Sequence, residues 1–172
     1  ASLSSDSAVV CTGSNAVFQI QLTGTSPFQF VYAVNGIQQP ASSAPQNTFT
    51  ISSNNVQQNQ LYTLVSVQDK FCTGTVSGTY TIIKQDGPTA TLGTATAICP
   101  GDSATLSLQL TGATSYNVTI NGGQFPITLN GVQSGATVAV FPTATTTYTI
   151  GTLVAQGNTC PQTIGAGVTI TV

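Results

Sequence analysis

The residues of this chain best equipped for chemistry are four cysteines, and their spacing is regular. Cys11 and Cys99 lie 88 residues apart, and so do Cys72 and Cys160. Read the other way, Cys11 to Cys72 and Cys99 to Cys160 each enclose 61 residues. None forms C-x-x-C and the chain has no His, so zinc ligation is not expected. The equal spacings predict two disulfides, Cys11–Cys72 and Cys99–Cys160, and hence an oxidising compartment. In the chain-entropy account each loop of this length adds about 4 kcal/mol. Cys11-Thr12-Gly13 precedes a strand and Asp69-Lys70-Phe71-Cys72-Thr73-Gly74 reads as a hairpin turn. The expected bridge therefore clips two turns at one pole of a sandwich. The alternative is four buried thiols, since Cys is among the residues most often buried.

Other catalytic chemistry finds few groups to use. A Ser-His-Asp triad needs a base and there is no His. A glycosidase needs two carboxylates about 5–10 Å apart. The only acids are Asp6 and Asp102, in different domains, and Asp69 and Asp86, outside any shared motif. No D-x-D occurs, so a calcium cage is not expected, nor any other metal or cofactor. The only cations are Lys70 and Lys84, in a turn and at a strand end, where neither suits a buried isopeptide crosslink; a Ser–Lys pair is the one catalytic arrangement the sequence leaves open. The expectation is a non-enzymatic protein.

The elements that position these residues repeat as well. Gln21-Leu22-Thr23-Gly24 returns 88 residues later as Gln109-Leu110-Thr111-Gly112. Leu61-Tyr62-Thr63-Leu64 returns as Thr147-Tyr148-Thr149-Ile150, offset by 86. A period this long marks tandem domains, not a solenoid. Apolar residues alternate with polar ones: Phe18, Ile20, Leu22 against Leu106, Leu108, Leu110, and Phe28, Phe30, Tyr32 against Tyr116, Val118, Ile120. Further sets are Phe49 and Ile51, Tyr62 and Leu64, and Val76, Tyr80 and Ile82, with counterparts Val138 and Val140, Tyr148 and Ile150, and Ile164, Val168 and Ile170. Period two with one buried face predicts short strands. About seven per repeat suit an all-β fold of two tandem immunoglobulin-like β-sandwiches, residues 1–86 and 87–172. The antibody-type Trp is missing, as is a Tyr two residues before the second Cys. Lys84-Gln85-Asp86-Gly87-Pro88 is the boundary, a short linker expected to set the domains end to end.

Only 3% of the 172 residues are charged, against about 25% in ordinary soluble domains. Without clustered Lys and Arg, neither nucleic acid nor an anionic membrane surface is an expected partner. No apolar run is long enough to span a bilayer, and Ala1-Ser2-Leu3-Ser4 is not a signal peptide. Ending on strand-like Thr169-Ile170-Thr171-Val172 favours a piece of a longer protein. Aromatics near turns, Phe71 and Phe125, are candidate sugar-stacking contacts; the competing reading has them plug the poles, with Phe28 in the core. The row Thr143, Thr145, Thr147, Thr149 reads as strand-forming residues that stay soluble without charge.

Several of these segments resemble a known family. They are Ile98-Cys99-Pro100-Gly101-Asp102-Ser103-Ala104-Thr105-Leu106, then Gln109-Leu110-Thr111-Gly112, then Pro142-Thr143-Ala144-Thr145-Thr146-Thr147-Tyr148-Thr149-Ile150 and the late Cys160. The first copy carries Cys11-Thr12-Gly13, Ser26-Pro27-Phe28 and Cys72-Thr73-Gly74. Together they resemble the Ig-like repeats of very large Bacteroidetes surface proteins, including gliding-motility adhesins of the SprB type. The resemblance implies export, a place at the cell surface, and neighbouring repeats of the same chain as partners. It implies a stalk or adhesive array, engaging surface polysaccharide or another cell-surface ligand. It also implies O-glycosylation at Asp6-Ser7-Ala8 and Asp102-Ser103-Ala104, hence at Ser7 and Ser103; the competing reading is an Asx turn. Asn117-Val118-Thr119 matches an N-glycosylation sequon, but on a strand. From another class, the alternative is a carbohydrate-binding accessory module of a secreted hydrolase. Exposed aromatics in a shallow groove would favour it.

Overall fold

The computed structural model describes residues 1–4, 6–94 and 97–172. Its chain divides between Gln85 and Asp86 into two compact units. Unit 1 holds β1 (Ser2–Leu3), β2 (Asp6–Cys11), β3 (Ala16–Gln21), β4 (Phe28–Val34), β5 (Ile37–Gln38), β6 (Ser42–Ala44), β7 (Thr48–Ser53), β8 (Gln60–Gln68), β9 (Thr73–Gly74) and β10 (Thr79–Gln85). Unit 2 holds β11 (Thr89–Thr94), β12 (Ala104–Thr111), β13 (Tyr116–Asn121), β14 (Ile127–Val132), β15 (Thr137–Val140), β16 (Thr146–Ala155), β17 (Thr163–Ile164) and β18 (Val168–Ile170).

Each unit is two sheets face to face. In unit 1 the sheet β1-β3-β7 covers the sheet β2-β10-β8-β4-β5. In unit 2, β15-β12-β11-β17 covers β14-β13-β16-β18. The expected count of seven is exceeded for a simple reason. The opening segment of unit 1 is shared between sheets, β1 pairing with β3 and β2 pairing in parallel with β10. The short strands β5, β6 and β9 add hairpin arms of two or three residues.

The period-two pattern explains the strands. β3 alternates buried and exposed along its length, with Phe18 and Ile20 inward and Val17 outward. β12 does the same with Leu106, Leu108 and Leu110. Branched and aromatic side chains suit such a half-buried pleated surface. Phe28, Phe30, Tyr62 and Ile82 fill the unit 1 core from the opposite sheet; Tyr116, Val118, Tyr148 and Ile170 do so in unit 2. Phe18 stacks on Tyr80 at 4.1 Å between centroids and meets Tyr62 edge-on at 4.7 Å, geometries that add to plain burial. The repeat extends to its irregularities. A register shift in β4 falls between Val31 and Tyr32, and its counterpart in β13 lies between Thr119 and Ile120, 88 residues on.

The repeats part company at one turn. β4 and β5 are joined by Asn35 and Gly36, with φ of 51° and 81°. Two positive φ angles make the tight turn that matches strand twist. In unit 2 the corresponding connection, residues 122–126, is longer and carries Phe125.

Candidate functional site: the cysteine poles and an aromatic-rimmed groove

Cys11 and Cys160 are disulfide-bonded, whereas Cys72 and Cys99 are exposed free thiols. The expected pairs Cys11–Cys72 and Cys99–Cys160 are therefore corrected, together with the single-pole clip. The strand registers give the reason. Cys11 is level with Gln85, three residues past the Ile82↔Gln60 pair. Cys72 lies beyond Gln68, eight residues along β8 in the other direction. At about 3.3 Å per residue the two are on the order of 30 Å apart. Disulfide Cα atoms stand roughly 4.4–6.8 Å apart. Unit 2 repeats the arrangement. Cys99 follows Ile98, whose N–H donates to the carbonyl of Thr171, one residue past Ile170, the register partner of Thr146 at the start of β16; Cys160 follows the far end of that ten-residue strand. Each unit thus carries its two cysteines on opposite poles.

The Cys72 turn is built by one carboxylate. Asp69 Oδ1 accepts from the N–H groups of Phe71 (2.8 Å) and Cys72 (2.7 Å), and Oδ2 from Thr25 (3.0 Å). These bonds, that from Thr25 foremost, hold its pKa below the ordinary carboxylate value. Gly24 is required beside it: at φ 127° an added Cβ would lie 2.5 Å from Asp69 Oδ2. The turn presents Phe71 outward, 71% exposed, with Lys70 Nζ 5.4 Å from the ring centroid. Phe71 does not plug the pole, whereas Phe28 is fully buried.

At the matching pole of unit 2, an amide does the work. Asn158 Oδ1 accepts from the Cys160 N–H at 3.0 Å, and Nδ2 donates to the carbonyls of Asp86 and Gly112, both at 2.9 Å. Asn158 and Cys160 are buried. The opening of β11 is locked on the same side. Thr163 N–H donates to Pro88 O, and an added Cβ on Gly87 would collide with Pro161 O.

A groove of about 720 Å³ opens in unit 2. Gln124, Phe125, Phe141, Thr143, Thr145 and Tyr148 are among its lining residues. Phe125 is 73% exposed and Phe141 71%. Gly122 lets the loop lie this close, since an added Cβ would meet Tyr148 Cδ1 at 2.6 Å. Desolvation raises the Tyr148 pKa, so its phenol stays neutral and able to donate. Phe125 was legible as a turn aromatic; Phe141 was missed. The signal lay in the alternation of β15: with Val140 inward, the next residue faces out.

The remaining expected residues are dispersed. Ser7 is exposed on β2, not in a turn, and its N–H donates to Asp6 Oδ1 at 2.7 Å. Ser103 is exposed just before β12, after the turn closed by Asp102 N–H to Cys99 O. Asn117 sits in β13 with its Oδ1 accepting from Gly131 N–H. No three His, Cys, Asp or Glu side chains converge among the described residues. Nor, among them, is any helix long and apolar enough to cross a membrane.

Comparison with known proteins agrees with this geometry. The family model of the Ig-like domain of nucleoporin POM152 matches residues 2–82, which lie within unit 1. No curated protein matches the sequence. Among solved structures, the I-band fragment I67–I69 of titin superposes with a TM-score of 0.61 at 14% identity, over 96% of this chain and 61% of that one. An E-to-A variant of the same three-domain titin segment gives 0.54 at 8% identity, with the same coverage. The chain spans about three fifths of the length of those fragments. At such identities the likeness is one of fold. The chain is a tandem of two Ig-like β-sandwich domains.

Proposed function

We propose that this tandem is a non-enzymatic, extracellular segment of a bacterial cell-surface adhesin, working as a stalk or adhesive array. The observation that carries the proposal is the oxidised state of Cys11 and Cys160 in a chain that repeats itself every 88 residues. Disulfides persist in oxidising compartments. Repetition multiplies reach and weak contacts more readily than it multiplies chemistry. The resemblance to Bacteroidetes surface repeats supports the same reading, including a part in attachment or gliding. Antibody labelling of intact producing cells tests it. The expected result is surface signal without permeabilisation, and loss of attachment when the segment is deleted. Signal only after permeabilisation contradicts it.

A second reading has its own support. Phe125 and Phe141 flank one groove together with Gln124, Thr143 and Thr145, a combination suited to stacking and hydrogen bonding a sugar. On this reading the segment is a carbohydrate-binding module of a secreted protein. Affinity electrophoresis in gels cast with soluble polysaccharides should show retardation that Phe125→Ala with Phe141→Ala abolishes. Equal mobility of the two proteins in every gel removes this reading.

A further inference from the structure

We propose that the groove of unit 2 binds a neutral polysaccharide, and that the Tyr148 hydroxyl selects it by hydrogen bonding to a hydroxyl of the sugar. The inference rests on the carbohydrate-binding reading and deepens it, naming the class of glycan and the group that reads it. It concerns unit 2 alone.

The phenol carries the argument. Tyr148 is only 3% exposed and lines the groove. Among the described residues its hydroxyl has no hydrogen-bond partner, yet no buried side-chain oxygen or nitrogen is left without one. The oxygen is therefore not sealed in the core; it opens into the groove. An added Cβ on Gly123 would lie 3.5 Å from it, which sets it beside the loop that carries Gln124 and Phe125. A hydroxyl held largely out of water without a protein partner is one that a ligand gains by satisfying.

The other copy shows the same position differently equipped. Tyr148 is the counterpart of Tyr62, whose hydroxyl donates to Gln60 Oε1 at 2.8 Å. The counterpart of Gln60 is Thr146, whose hydroxyl donates instead to Ala144 O at 2.7 Å. Where unit 1 has the two-residue turn Asn35-Gly36, unit 2 has residues 122–126. Two changes thus coincide in unit 2. The phenol loses its internal partner, and the loop beside it lengthens and brings an exposed Phe125.

The chemistry of the lining names the ligand. None of the residues lining the groove is charged. A carboxylate or sulfate seated there would give up water without gaining a cation, which disfavours uronate-rich and sulfated glycans. The hydroxyls of Tyr148 and Thr143 and the amide of Gln124 can each both donate and accept. Sugar hydroxyls do the same, whereas a peptide backbone offers donors and acceptors in fixed places. Phe125 and Phe141 have no polar atom on their side chains and offer ring faces to the apolar side of a pyranose. At about 720 Å³ the groove lies within the roughly 300–1,000 Å³ of small-ligand sites, room for a short run of sugar units.

Isothermal titration of the whole chain with laminarin and hydroxyethylcellulose, both neutral glucans, and with alginate, a polyuronate, tests the inference. The expected result is binding of a neutral glucan with an affinity that is the same at low and high salt, and no binding of alginate. Tyr148→Phe should bind that glucan about three- to tenfold more weakly, the loss of one hydrogen bond. Its melting temperature should match that of the wild type, because no internal bond is removed. Thr146→Gln, which restores the partner found in unit 1, should weaken binding in the same direction. Alginate binding that salt abolishes, or an unchanged affinity in Tyr148→Phe, would overturn the inference and leave the sugar-binding reading intact. Silence with all three glycans would overturn it too, and the gels with the Phe125→Ala, Phe141→Ala protein then decide separately whether any sugar binds.

Discussion

One backbone N–H, met twice in the repeat, shows how single residues shape this protein. In unit 1 the Thr25 N–H is bound by Asp69. Its counterpart in unit 2, the Ala113 N–H, is bound by the Tyr116 hydroxyl at 2.7 Å, which also donates to Ala113 O at 2.7 Å. The position that is Phe28 in one copy is Tyr116 in the other, so the donor finds a hydroxyl where it otherwise needs a carboxylate. Tyr116→Phe should cost about 1–3 kcal/mol by leaving both backbone groups without this partner. Calorimetry should register roughly 4–8 °C per kcal/mol for a domain of this size. An unchanged melting temperature would show that water replaces the hydroxyl at no cost. Asp69 gives a pH-dependent counterpart. Its pKa is depressed in the folded state. The stability it contributes is complete above the unfolded carboxyl value of about 3.9 and is lost as pH falls through the folded value. Asp69→Asn should therefore lower the melting temperature at pH 6, and the gap to wild type should close toward pH 2. A gap of constant size at every pH would mean that the charge plays no part.

At the scale of the strand, alternation was legible because a β-strand shows opposite faces to successive residues. Phe18, Ile20, Leu106 and Leu108 were read as inward and are buried. The same rule makes a prediction within β12: Leu106→Ala should cost about 2–5 kcal/mol, and Gln109→Ala, on the exposed face, close to nothing. Chemical denaturation of the two variants checks it, and similar costs for both would contradict the assigned face. The pole of each cysteine follows from the number of strands between them, not from their spacing. Between Cys11 and Cys72 the chain crosses the sandwich along β3, β4, the β5 and β6 arm, β7 and β8. Each crossing exchanges poles, and an odd number of them leaves the two turns at opposite ends. Equal loop lengths record that the copies are equivalent, but they say nothing of which ends meet. The groove was half legible. Phe125 stands in an evident turn, but Phe141 comes to the same groove just after β15, a strand of the other sheet, a proximity that only the folded chain supplies.

For the whole molecule, each unit keeps its stability within itself. Both carry a core drawn from two sheets, and neither has a disulfide between its own two cysteines. The loop-closure contribution of about 4 kcal/mol expected for each 61-residue loop is therefore absent from both sandwiches. A chain almost without charge adds little long-range repulsion between repeats. The most direct measurement is a peptide map of the non-reduced protein, digested at low pH so that thiols do not exchange. The account predicts Cys72 and Cys99 recovered as alkylated thiols, and Cys11 and Cys160 recovered only in disulfide-linked peptides. Linked peptides joining Cys11 to Cys72 and Cys99 to Cys160 would contradict it.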